Sequence, residues 1–72
     1  MDYLDKYEKL YKERRDHVLK KLDEGFRFMS LSRSLKRKFC INMFEAHSVL
    51  SRMVADGDIS MRITKNNIEF SR

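Results

Sequence analysis

A chain of 72 residues has room for one small domain, whose single core supplies only ~3–5 kcal/mol, so a second chain or a ligand is expected to add stability. With 42% hydrophobic and 38% charged residues, the composition is that of a globular protein, and no apolar run approaches the ~20 residues that span a bilayer. The start, MDYLDKYEKL, lacks the basic and apolar regions of a secretory signal, and one cysteine cannot close an internal disulfide, so a cytoplasmic, reducing setting without membrane contact is expected.

The net charge of +5 is unevenly placed. Residues 1–24 hold seven bases and seven acids, and residues 53–72 hold three of each. The excess falls in residues 25–52, where Arg27, Arg33, Lys36, Arg37, Lys38 and Arg52 face only Glu45. A cationic middle between neutral ends is a footprint for a polyanion, although a solvated basic face would read the same way.

Residues 1–24 predict one long helix closed by Gly25. On a 100° wheel Leu4, Tyr7, Tyr11, Val18 and Leu22 form a stripe, with Leu19 and Phe26 beside it and Arg14 and Arg15 interrupting it. Asp5–Lys9, Glu8–Lys12 and Asp16–Lys20 are spaced to pair along the outside. Such a helix is about 35 Å long, more than a three-helix core needs. Val18, Leu19, Leu22 and Phe26 are therefore expected to pack under the following helices. Tyr3, Leu4, Tyr7, Leu10 and Tyr11 are expected to overhang and form a homodimer interface. The alternative is that this half folds back over the chain's own C-terminal hairpin.

Ser30 or Ser32 is expected to cap a second helix over residues 31–39, with Leu31, Leu35 and Phe39 inward. Cys40-Ile41-Asn42 forms a turn in which Ile41 is buried and Asn42 caps a third helix over residues 43–56. Cys40 fits that turn if the backbone there is not left-handed, and is expected to serve packing rather than chemistry. The seam of the third helix is Ala46, Val49, Leu50, Met53 and Val54, and Gly57 ends it. Residues 59–71 predict a hairpin, with Ile59, Met61 and Ile63 alternating with polar residues. Asn66-Asn67 suits a type I′ turn, which sets Lys65 opposite Ile68 and Ile63 opposite Phe70.

The stretch from Leu35 to Ile59, LKRKFCINMFEAHSVLSRMVADGDI, thus holds a basic helix, a short turn, an apolar-seamed helix, a glycine and an aliphatic residue. That order resembles the helix-turn-helix of winged-helix DNA-binding domains, with Cys40 departing from the small residue common in their turn. The resemblance implies a small α+β fold, a winged helix-turn-helix of three helices and a C-terminal two-stranded wing. A short third strand near Phe26–Met29 would pair with the wing. It also implies a sequence-specific double-stranded DNA-binding protein, a small transcriptional regulator that inserts its third helix in the major groove. Arg33, Lys36, Arg37, Lys38, Arg62 and Lys65 would then bind phosphates. Phe44, Glu45, His47, Ser48, Ser51 and Arg52 would read bases, and Asn66 and Asn67 would form the wing tip. The small size, with no effector domain expected after Phe70, fits a phage, viral or bacterial regulator.

Phe44 sits badly in a DNA groove and, with Met43, Glu45 and the tyrosines of the first helix, supports an alternative. The chain would then be a winged-helix protein-interaction module, such as a small phage or viral factor that binds and inhibits a host protein machine. Catalysis is not expected. Two histidines thirty residues apart and one cysteine have no zinc spacing, and neither glycine lies in a phosphate-binding loop. No cofactor or metal is expected.

Overall fold

Apolar residues at intervals of three and four organise most of residues 2–56 into three helices. A computed structural model describes residues 2–72. Helix α1 spans Asp2–Asp23, α2 spans Ser30–Phe39 and α3 spans Met43–Asp56. An antiparallel pair of strands follows, β1 at Ser60–Ile63 and β2 at Ile68–Ser71. The result is a small α+β fold of three helices and a two-stranded sheet, a layout consistent with a winged helix.

Each helix contributes one face to a common core. Val18 and Leu22 come from α1, Leu31 and Leu35 from α2, and Ala46, Val49, Leu50 and Met53 from α3. Ile59 and Phe70 close the core from the hairpin side. Leu19, Phe26 and Phe39 pack at its edge, and so does Ile41 of the turn, which is only partly buried where full burial was expected. Removing area such as that of Leu35 or Met53, both fully buried, would cost about 2–5 kcal/mol through lost burial and the cavity left behind.

The helix ends have distinct chemistry. Asn42 caps α3, its Oδ1 accepting from the Glu45 amide at 2.8 Å. Gly57 ends α3 at φ 83°, where its amide donates back to the carbonyls of Met53 and Val54. That Schellman-like closure turns the chain toward β1. At the start of α2 neither expected serine acts as a cap: Met29 holds that position, with no side-chain hydrogen bond. Ser32 is instead fully buried, because it lies beside Leu31 and Leu35 on the inward side. The turn after α2 also corrects the reading of Cys40, which is left-handed at φ 54° and exposed. It serves no packing, since it lies where α2 must reverse direction within three residues.

The hairpin forms, but with another turn. Ile63 pairs with Ile68 and Met61 with Phe70, so the strands slip by two residues from the expected register. A slip of two keeps each side chain on its face, which is why the alternation still holds. The connection is a four-residue loop, Thr64 to Asn67. The Thr64 amide donates to the Asn67 carbonyl at 2.7 Å, and the Thr64 hydroxyl accepts from the Asn67 amide at 3.2 Å. A type I′ turn needs positive φ at both asparagines, and among non-glycine described residues only Cys40 has it. The threonine thus supplies closure that the sequence reading assigned to the asparagines. Phe26–Met29 does not form the expected third strand. Arg27 only accepts one hydrogen bond, from the Phe70 amide at 2.6 Å, before the chain turns into α2.

Candidate nucleic-acid or protein interface

Burial of Leu31 and Leu35 forces the cations of α2 outward. Arg33, Arg37 and Lys38 are exposed and Lys36 is half-buried. None of the four takes part in an ion pair among the described residues. Arg33, Lys36 and Arg37 gather with Ile41 around a shallow depression beside the turn. Lys38 does not line that depression, and its charge helps lower the pKa of His17 on α1.

The exposed side of α3 carries the expected base-reading residues, except one. Phe44 stands 86% exposed at its first turn, and Glu45, His47, Ser48 and Ser51 are also exposed. They divide between two grooves. Phe44, Glu45 and Ser48 border a groove of about 460 Å³ between α3 and α1, floored by Tyr11 and Val49. His47 and Ser51 border one of about 300 Å³ between α3 and the hairpin, lined by Met29, Val54, Met61 and Ile68.

Arg52 departs from its expected place among the base readers. Its guanidinium binds both carboxylate oxygens of Glu8 at 2.9 Å and lies 3.6 Å from Asp56. It also covers the Tyr11 ring at 3.8 Å from the centroid and approaches the Tyr7 ring at 5.7 Å. The hydrogen bonds to Glu8 raise its pKa, holding it charged. Glu8 therefore serves α3 rather than the expected Lys12, and Asp16 turns to Arg15 at 3.3 Å rather than to Lys20. With Arg52 engaged, the exposed side of α3 offers Glu45 but no lysine or arginine.

The same contact corrects the expected dimer surface. Tyr11 is only 6% exposed and belongs to the core, because Arg52 and α3 cover it. Leu4, Tyr7 and Leu10 remain exposed. The side chain of Tyr3 lies outside the described residues. The N-terminal half of α1 is thus tied to α3 through Tyr11 and through Arg52, which reaches Glu8 and Tyr7, while residues 4–10 are exposed, so this end of the helix largely overhangs as expected.

On the hairpin, Lys65, Asn66 and Asn67 are exposed in the loop. Arg62 is exposed too, with Glu69 3.9 Å away on the paired strand. Met61 and Ile63 share the face of Phe70, yet stand 47% and 73% exposed.

Two side chains not expected at any site bridge the elements. The His17 Nε2 lies 2.7 Å from the Ser34 hydroxyl, and its ring meets Phe39 edge-on at 5.6 Å. Burial lowers its pKa, and Lys21, Lys38 and Lys20 lower it further against the opposing pull of Glu24. Arg14 lies over Phe39 at 5.8 Å and reaches Glu45 at 3.9 Å. Wheel position alone marked Arg14 as an interruption of the apolar stripe; nothing in the sequence linked His17 to Ser34.

Among the described residues no cluster of His, Cys, Asp or Glu is arranged to hold a metal ion, and no helix is long and apolar enough to cross a membrane. Compared with protein families, characterised proteins and solved structures, the chain matches none.

Proposed function

We propose that the protein is a winged-helix double-stranded DNA-binding protein, a small transcriptional regulator that contacts duplex DNA through α2, the turn and α3. The observation that carries this reading is the cationic set on α2. Arg33, Lys36, Arg37 and Lys38 have no acidic partner among the described residues, which leaves them to replace condensed counterions along a phosphate backbone. Arg33, Lys36 and Arg37 lie at the turn that leads into α3. Lys65 and Arg62 on the hairpin add a second point of phosphate contact. Base reading then falls to His47, Ser48 and Ser51, with Phe44 available for a thymine methyl and Glu45 for a cytosine amino group.

Titration of labelled duplex over a range of salt tests this. About six phosphate contacts, one for each of these cations, give log K against log salt a slope of about −5. Replacing Lys36, Arg37 and Lys38 together by alanine is expected to weaken all duplexes alike and flatten that slope. No binding to any duplex at about 50 mM salt overturns the reading.

A second reading, a protein-interaction module that engages a host protein, rests on a different observation. Phe44 is almost wholly exposed on a helix face without a lysine or arginine to offer a polyanion. Capture of one defined protein through that face, lost on Phe44→Ala, together with failure to bind duplex, would favour it.

A further inference from the structure

Helical spacing and one hydrogen bond gather cations at the seam between α1 and α2. His17 and Ser34 meet there, Nε2 to Oγ at 2.7 Å, and both are half-buried. Lys20 and Lys21 follow His17 by three and four residues and so share its face of α1, while Lys38 follows Ser34 by four and shares its face of α2. Lys21 is tied to Glu24 at 3.3 Å. Lys20 and Lys38 are exposed and have no acidic partner among the described residues. Phe39, which meets the His17 ring edge-on, also carries the Arg14 guanidinium, 5.8 Å from its centroid.

Lys20 and Lys21 on α1 and Lys38 on α2 all disfavour a positive charge on His17, as does its burial, with Glu24 opposing them. A basic side chain near the last turn of a helix offsets the dipole of that helix. The dipoles do not call for three ammonium groups brought from two helices around a half-buried imidazole. An oxyanion does. It would neutralise the lysines and reverse the field at His17, favouring the imidazolium. Protonated His17 can only donate from Nε2, so it would donate to the Ser34 oxygen and leave the Ser34 O–H to donate outward.

We propose that the α1–α2 seam binds a phosphate group, paired with Lys20 and Lys38 and hydrogen-bonded by Ser34 while His17 takes up a proton. The site uses none of the exposed residues of α3. Two sources carry that chemistry. A backbone phosphate of duplex DNA would extend the contacts of α2 onto α1, and in that form the site rests on the DNA-binding reading. Free phosphate would bind without it. In either form binding is proton-linked, so affinity rises as pH falls toward about 6.5, the ordinary histidine range.

The NMR signal of the His17 ring C–H, identified by its absence in His17→Gln, tests the proposal in two arms. One adds inorganic phosphate to about 20 mM, beyond the millimolar Kd expected of one partly open site, and the other adds a short duplex. Chloride holds the ionic strength constant, because screening alone weakens the field of the lysines. The midpoint of the His17 titration is expected to move up by about 0.5 or more in at least one arm. In the Lys20→Ala, Lys38→Ala double variant it is expected to start higher and no longer respond, with helical circular dichroism unchanged because both side chains are exposed. A response to duplex alone identifies nucleic-acid phosphate as the source, a response to inorganic phosphate alone identifies free phosphate, and a response to both supports the shared chemistry. No response in either arm, or one that survives in the double variant, overturns the proposal. A duplex that does not bind while phosphate moves His17 sinks the DNA-binding reading and leaves this site standing. Duplex binding with His17 unmoved in both arms does the reverse.

Discussion

The guanidinium of Arg52 lies 3.8 Å from the centre of the Tyr11 ring and grips both oxygens of Glu8, 44 positions earlier in the chain. One side chain thus covers an aromatic face of α1 and, through one terminal nitrogen, bridges both oxygens of a carboxylate on the same helix, while its Nε lies 3.6 Å from Asp56. This arrangement holds the stretch of α1 around Tyr7, Glu8 and Tyr11 against α3, which forms one wall of the groove beside Phe44. Lysine could not reproduce it, since an ammonium neither stacks flat on a ring nor offers a second nitrogen to Asp56.

Arg52→Ala is therefore expected to loosen α1 from residue 4 to residue 12 while leaving residues 18–22 docked. Hydrogen exchange reads this directly: amides of the first segment exchange faster and those of the second do not. Arg52→Lys is expected to behave like the alanine variant. Equal protection of both segments in the alanine variant would show that the contact holds nothing.

Cys40 occupies a left-handed position at φ 54° and is exposed. A residue with a Cβ there is strained by roughly 1–2 kcal/mol, of which glycine recovers part after its own entropy cost in the unfolded chain. Cys40→Gly is expected to stabilise the fold by about 0.5–1 kcal/mol in urea melts. Cys40→Ala, which keeps the Cβ, is expected to change little.

His17 is held below its usual pKa first by burial and then by Lys21, Lys38 and Lys20. The unfolded chain binds a proton at His17 near pH 6.5, whereas the folded chain does so only at lower pH. Between those two values the unfolded state carries more protons, so stability rises with pH through the window and levels off above it. In paired melts, His17→Gln is expected to show a shallower loss of stability than wild type as pH falls from 7 to 5. Parallel pH profiles would show that His17 contributes nothing.

Among the cations of α2, Arg37 stands exposed beside the turn and without an ion pair among the described residues. Arg37→Ala is expected to reduce the salt slope of duplex binding by about 1 and to weaken every sequence similarly. Sequence-dependent weakening would instead make Arg37 a base reader.

The helices were legible before folding because their apolar residues recur at three and four. The spacing of Leu31, Leu35 and Phe39, and of Ala46, Val49, Leu50 and Met53, placed each inward face correctly. Asn42 and Gly57 were legible too, since a cap and a left-handed stop act on their own few residues. The hairpin was half legible. Alternation located its faces, but its register turned on whether Thr64 or the asparagines closed the loop.

Sequence by itself determined the three helices, their inward faces and the concentration of charge between residues 25 and 52. These depend on local periodicity and on counting. Only tertiary structure decided which charges remain free. Arg52 and the α2 cations look alike in a sequence, yet one is taken by a carboxylate 44 residues away and the others are not. Tyr11 and Tyr7 likewise share a stripe, and the crossing of α3 buries one and leaves the other at the edge of a groove. Pairing and burial across such distances depend on how helices cross, and no spacing along the chain encodes that angle.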